Sequence, residues 1–383
     1  MVETWQGPYG SLTVNKQEFG VALRLNSHYS LGSIRGYPTE RFQAELPFLI
    51  KPDAKKVFFL GMGTGITAGS ALDSQFADVE TIHVCELVGD VVKASEKYFT
   101  KRKPLGFDPT HGLHSDPRAK IMVGDGRHYL MATQEKYDII NSDLFVPFRS
   151  GVGKLYSLEH YLNSKNRLND GGIFVQWLPL YQLTENEFGI IANTMNKAFD
   201  TVTLWKNNFQ PNDEFVALIG HQSSDILSEV DEKSYTDRLR SVFNMSYHNM
   251  ANLNLPLSSE TATLFYSGNL TQASSLLSQY PVNSDNRPYI EYLAPKTFRL
   301  STDKSKIWFT SYNLSDFIDK VFKESPIEKD PYLENRSNTT RNFAKAGHYY
   351  HQARIHHFNN NMEKASSSWN QFIELWTAEP NRK

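Results

Sequence analysis

The stretch Val57–Val88, VFFLGMGTGITAGSALDSQFADVETIHVCELV, constrains this chain more than any other. An apolar run ends in Gly61, Gly63 and Gly65, a helical segment follows, and a second apolar run ends in an acid, Glu86. Glycines between a strand and a helix let the backbone approach a ligand closely, and an acid closing the next strand can accept both hydroxyls of a ribose. The pattern lies within a longer alternation over residues 55–220. Strands are predicted at KVFFLGM, TIHVCEL, AKIMVG, YDIINSDL, GGIFVQWL, TVTLWKN and EFVALIG, with helices between most of them. That order implies an α/β fold with a Rossmann-like, doubly wound parallel sheet. The last two strands read as an antiparallel hairpin at the sheet edge.

The flanks differ. With 383 residues the chain has room for two or three domains. Residues 1–50 read as a small N-terminal β-strand unit, with strands in GSLTVN, VALRLN and YSLGSIRGYP. TERFQAELPFLI has helical spacing and stops before Pro52. Residues 51–220 form the cofactor-binding domain and 221–300 a mixed extension. In that extension SDNRPYIEY shows a turn, where Asp285 and Arg287 are close enough in sequence to pair. Residues 301–383 read as a helical tail with a tetratricopeptide-like helix hairpin. One such hairpin cannot bury its own apolar face, so it must pack on the body of the protein or on a partner.

Charge and cysteine content exclude several roles. A formal net charge of -2 and the absence of a basic run argue against nucleic acid or an anionic membrane as partner. Cys85 is the only cysteine, so no internal disulfide forms, and a reducing, cytoplasmic setting fits. No apolar run is long enough to cross a bilayer. The abrupt start, MVETWQGPYGSLTV, already alternates like a strand and is compatible with the cytoplasmic part of a longer, membrane-anchored protein. His351, His356 and His357 fall in the helical tail, where packing or a solvated face explains them better than a metal.

The ligand class follows by elimination. In a dinucleotide fingerprint the third glycine would fall at Ile66, and no Gly-Lys-Ser/Thr follows as in a P-loop. Glu86 stands 21 residues after Gly65, with Leu87 next to it. In VGDGRHYL, Asp125 and Gly126 close the third strand over the same crevice, where an acid can accept the adenine amino group. The best remaining ligand is an adenosyl sulfonium, S-adenosylmethionine or its decarboxylated form. Thr64 and Gly65 complete the loop around it.

Taken together, GPYGSLTV, LGMGTGITAG, YDIINSDLFVP, KLYSLEHY, GGIFVQWLPLYQL and SDNRPYIEYLAP resemble the spermidine synthase (polyamine aminopropyltransferase) family. They are closest to its membrane-fused branch, and the fold implied is the class I methyltransferase type. The resemblance runs from about residue 7 to 220. It implies cofactor contacts at Gly61, Gly63, Glu86, Asp125 and Gly126, and a pocket glutamine at Gln176. It implies a catalytic aspartate at Asp143 that helps deprotonate the attacking amine, because an ammonium has no lone pair to offer. The competing role for Asp143 is a helix cap after the strand. A membrane-embedded region before residue 1 and a homodimer would also follow from the family.

The departures matter as much. Thr64 stands where the family's loop carries the aspartate that binds the amine of the aminopropyl arm. Val146 replaces a second aspartate. In RGYPTER, Arg35 and Thr39 replace the acid and tyrosine of the family's gate, and Glu40 and Arg41 follow. A neutral Thr64 would no longer repel the carboxylate of intact S-adenosylmethionine. The reading placed first is therefore methyl transfer to a small nucleophile (thiol, sulfide or amine). Asp143 would be the base, Tyr156, His160 and Gln176 would assist, and Arg35, Trp177, Tyr181 and Gln182 would line the acceptor pocket. The alternative is aminopropyl transfer from the decarboxylated cofactor to a polyamine. A third reading is a ligand-binding sensor whose helical tail docks a partner.

Overall fold

The computed structural model describes residues 1–18, 20–26, 29–73, 76, 78–100, 106–223, 261–300 and 307–378. The chain divides into two units. The first holds Met1–Asp143 and Asn166–Phe174. The second holds Leu144–Lys165 and, among the described residues, those from Val175 on.

In the first unit, strands β1 (Glu3–Gly7), β2 (Gly10–Gln17), β3 (Gly20–Leu25) and β4 (Tyr29–Ser33) form an antiparallel meander in that order. Alternation gives it one apolar face. Leu12, Val14, Val21 and Leu23 pack with Ile34 against Ile66, Val91, Ala94 and Phe99. Helix α1 (Tyr37–Ile50) follows, with Pro38 in its first turn. It is buried continuously from Arg41 to Ile50, so its polar side chains need partners. Arg41 finds them: its Nε donates to Glu45 at 2.6 Å, its Nη2 to Asp73 at 2.9 Å and its Nη1 to the Tyr37 hydroxyl at 2.8 Å.

The central strands β5 (Lys56–Leu60), β6 (Thr81–Glu86), β7 (Ala119–Val123) and β8 (Tyr137–Ser142) pair in parallel, in the order β8-β5-β6-β7. Val57, Phe58 and Ile140 are fully buried, as in a strand covered on both faces. Between the strands run α2 (Ile66–Ser70), α3 (Gly89–Phe99) and α4 (Gly126–Ala132). The chain moves outward from β5 to β7 and then returns to the other side of β5. Beyond the carboxyl ends of β5 and β8 lies the switch point where open α/β sheets bind ligands.

In the second unit, α5 (Leu158–Lys165) precedes α6 (Glu185–Ala198), which starts on a capping box between Thr184 and Glu187. Strand β9 (Leu168–Pro179) gives its first part to the first unit and Val175–Pro179 to the second. The expected hairpin is present: β10 (Thr201–Lys206) pairs antiparallel with β11 (Phe215–His221). The reading did not include a strand added on the other side of β10, β12 (Tyr266–Asn269), also antiparallel. Helices α7 (Tyr289–Leu300), α8 (Tyr312–Glu324), α9 (Asn338–Phe358) and α10 (Met362–Thr377) complete the unit.

Helices α9 and α10 pack together through aromatic pairs, Phe343 with Trp376 at 5.2 Å and Tyr350 with Phe372 at 5.4 Å between ring centres. Their helical character was expected. His351 is fully buried, its Nε2 3.0 Å from Glu214, so packing accounts for it. Ser284 and Arg287 exchange backbone hydrogen bonds, which forms the turn read in SDNRPYIEY. Residues 224–260 of the mixed extension, and 301–306 and 379–383 of the tail, lie outside the described residues. Among the described residues no helix is long and apolar enough to cross a membrane.

Candidate active site

The carboxyl ends of the four parallel strands are tied together before any side chain is considered. Gly61 N–H donates to the Cys85 carbonyl at 2.9 Å, Gly124 N–H to that of Glu86 at 2.9 Å, and Asp143 N–H to that of Leu60 at 3.1 Å. Between β5 and α2 the loop turns through left-handed backbone, with φ of 53° at Gly63 and 81° at Gly65. A Cβ on Gly63 would also lie 2.7 Å from the Leu31 carbonyl oxygen, so the loop runs directly against β4.

Glu86 holds this loop from the neighbouring strand. Its Oε2 accepts from Met62 N–H at 3.0 Å and Gly63 N–H at 3.4 Å, and its Oε1 from Val88 N–H at 2.9 Å. Burial raises its pKa, while those backbone donors pull it down. Backbone donors on both oxygens hold the carboxylate in one orientation at the end of β6. Asp125 caps α4, its Oδ1 accepting from Arg127 N–H at 2.8 Å and His128 N–H at 3.2 Å. Its side chain is exposed, Gly126 is buried beside it, and Leu87 presents an exposed apolar side chain after β6. The crevice thus offers bare backbone, an acid for vicinal hydroxyls and a second acid on the next strand. Those features suit an adenosyl group, and among the described residues no cluster of His, Cys, Asp or Glu could hold a metal ion.

Asp143 lies just past β8, its Oδ2 4.0 Å from where a Cβ of Gly63 would stand. Residues 143–146 are not helical, so Asp143 does not cap a helix there. Thr64 is not simply a neutral side chain in place of an acid. Its hydroxyl donates to Glu40, in the first turn of α1, whose other oxygen accepts from Ser33 N–H at 3.1 Å. Burial, together with the nearby Asp143, pushes the Glu40 pKa up to about 8, against the two hydrogen bonds. Sequence reading noted Glu40 without a role. A glutamate in the first turn of a helix that follows β4 was the available signal. Ser95 and His114 were missed as well. The Ser95 hydroxyl donates to the Thr64 carbonyl and lies 2.9 Å from His114 Nε2. Arg35 is exposed on the single turn Ile34–Gly36. Arg41, next to Glu40, belongs to the buried ion network rather than to the crevice lining.

The remaining candidates fall in the second unit. Tyr156 is fully buried and its hydroxyl donates to the Phe145 carbonyl at 3.0 Å. His160, Gln176 and Trp177 are also fully buried, and Gln176 Nε2 donates to the Trp177 carbonyl at 3.2 Å. Tyr181 is partly buried, edge-on to Phe215, and burial raises its pKa. Gln182 is partly buried beside it.

The chain from the first turn of α1 to the end of β10 matches a family model. Residues 40–206 fit the model for the spermine/spermidine synthase domain. The match is to the family's domain model, over less than half of the chain. The matched stretch includes the glycine loop, Glu86, Asp125, Asp143 and Glu40. A polyamine aminopropyltransferase of Thermotoga maritima is 32% identical over 131 residues, 34% of this chain and 41% of that protein. One of Hamiltonella defensa is 30% identical over 161 residues, 42% of this chain and 51% of that protein. The chain therefore spans about half the length of the curated relatives it matches. The solved spermidine synthase of Thermotoga maritima is similar with a TM-score of 0.50 at 20% identity, covering 61% of this chain and 76% of that one. A probable spermidine synthase of Corynebacterium glutamicum also gives 0.50, at 15% identity, covering 74% and 96%. Both structural likenesses speak for the fold alone.

Proposed function

We propose that this chain transfers an aminopropyl group from decarboxylated S-adenosylmethionine to an amine of the polyamine class. The observation that carries the reading is Asp143, set at the lip of the glycine loop within the stretch that matches the spermine/spermidine synthase model. Glu86 holds the ribose hydroxyls, Asp125 and Leu87 face the adenine, and the bare backbone of Gly61–Gly65 admits the sulfonium end. Asp143 accepts the proton of the acceptor ammonium, freeing its lone pair. The amine nitrogen then attacks the arm carbon attached to sulfur. The new C–N bond forms as the C–S bond breaks, and its electron pair stays on sulfur in methylthioadenosine. The transfer needs alignment, proton removal and exclusion of water, and no redox partner.

Methyl transfer, placed first on sequence grounds, rested on Thr64 as a neutral replacement for an acid. The acid of Glu40 behind Thr64 counts against that argument, because an acidic group still stands at this place. The deciding assay incubates the protein with decarboxylated or intact S-adenosylmethionine and a pool of amines and thiols, and identifies nucleoside products by mass spectrometry. Amine-dependent methylthioadenosine from the decarboxylated donor is expected. S-adenosylhomocysteine from the intact donor, with a methylated acceptor, would replace this reading by methyl transfer.

A further inference from the structure

Glu40 reaches the glycine loop from a different element, and the backbone around it is kept bare to hold it. A Cβ on Gly32 would fall 2.6 Å from Glu40 Oε1, and one on Gly36 2.9 Å from it. The two carboxylate oxygens are oriented separately, one by Ser33 N–H and the other by the Thr64 hydroxyl. Thr64 is 1% exposed and its hydroxyl also accepts from Ile66 N–H at 3.2 Å, so it has a fixed direction. Glu40 itself is only partly buried and faces the electrostatic influence of Asp143. Two acids brought together at a loop that fits a sulfonium nucleoside form a wall that favours a cationic arm and opposes an anionic one.

We infer that Glu40 is the specificity-determining residue of the donor site: through Thr64 it presents a carboxylate to the ammonium of the aminopropyl arm and rejects a donor that still carries its carboxylate. The inference rests on the adenosyl reading of the crevice. Glu40 is protonated in the empty site at neutral pH, its pKa being raised to about 8, and the arm ammonium draws it into its ionised form, which supplies by a different route the negative charge that a threonine at position 64 lacks. Arm ammonium and Glu40 form a hydrogen-bonded ion pair. The carboxylate of intact S-adenosylmethionine, borne on the same arm, would face Glu40 and Asp143 together.

The test uses the full chain and three nucleosides in titration calorimetry. Methylthioadenosine has no charged arm, decarboxylated S-adenosylmethionine carries an ammonium alone, and the intact compound carries an ammonium and a carboxylate. Wild type should bind the decarboxylated ligand at least about tenfold tighter than the intact one, the scale of one well-placed charge pair. Glu40→Gln should lose about tenfold or more for the decarboxylated ligand and leave methylthioadenosine within about twofold. Equal wild-type affinity for the two charged ligands, or an unchanged Glu40→Gln, overturns the inference. If Glu40→Gln also loses methylthioadenosine, the wild-type comparison decides, together with Thr64→Val, which should weaken only the decarboxylated ligand. The activity reading fails separately. Tight, Glu40-dependent binding without amine-dependent product would sink aminopropyl transfer and leave Glu40 in its role. Full activity and selectivity in Glu40→Gln would do the reverse.

Discussion

The Ser95 hydroxyl donates to the Thr64 carbonyl at 2.7 Å, which fastens the glycine loop to α3. A serine has one proton to give, so His114, 2.9 Å away on the same oxygen, must donate from Nε2. Burial lowers the His114 pKa, in keeping with a neutral ring. Ser95→Ala should leave a buried carbonyl without this donor, at a cost of about 1–3 kcal/mol. Thermal unfolding should show that loss. Methylthioadenosine affinity should fall with it although Ser95 lies beneath the loop.

Asp143→Asn keeps the shape of the side chain and removes the base. Turnover should drop about 100- to 10,000-fold, the usual contribution of a positioned proton acceptor. Methylthioadenosine should still bind. A single-turnover assay beside a binding titration separates the two effects, and retention of near-normal turnover would exclude Asp143 as the base.

Gly63→Ala meets two obstacles, a φ of 53° and the Leu31 carbonyl oxygen 2.7 Å from the new methyl. The left-handed backbone alone costs about 1 kcal/mol or more for a residue with a Cβ. The collision with backbone adds to it, because a strand cannot swing aside like a side chain. The variant should melt lower than wild type and bind nucleoside weakly. A melting temperature equal to wild type would mean that β4 is not seated on the loop.

Glu40 gives the empty protein a characteristic pH dependence. Its folded pKa lies near 8 against an ordinary value of 4.5, so between those values the folded state holds a proton that the unfolded chain has released. Its contribution to stability is full below about 4.5 and is lost as pH rises through about 8. Asp143 raises the value, and the Thr64 and Ser33 donors lower it. Denaturant unfolding across this range should show stability falling with pH, more steeply in wild type than in Glu40→Gln. Parallel curves would show that Glu40 is not shielded from water.

The placement of the glycine loop, Glu86 and Asp143 at strand ends was legible because each closes or follows an apolar run that reads as a buried strand. Strand ends are local features, and a parallel sheet brings them to one edge automatically. Glu40 was not legible in the same way. Its partner Thr64 is 24 residues away, and the contact depends on α1 entering beside β4. Substitution at Thr64, taken alone, therefore suggested a lost acid where the fold brings one in from α1. Arg41 looked like part of an acceptor gate, and its burial against Glu45 and Asp73 could not be read from a helical pattern that includes polar residues. Strand β12 lies more than 40 residues beyond β11 in sequence, so no local turn announced it.

The contact between β4 and the loop sets a limit on how this protein can be shortened. Every residue of the nucleoside fingerprint lies after position 55, so a trimmed chain beginning at β5 would keep the whole signature. It would nevertheless lack the Leu31 carbonyl against Gly63 and the Ser33 amide on Glu40. The small meander is the front half of the mould in which the loop is cast. A minimal fragment chosen by its motifs would be an open-fronted crevice, able to display the fingerprint and unable to grip what it fits.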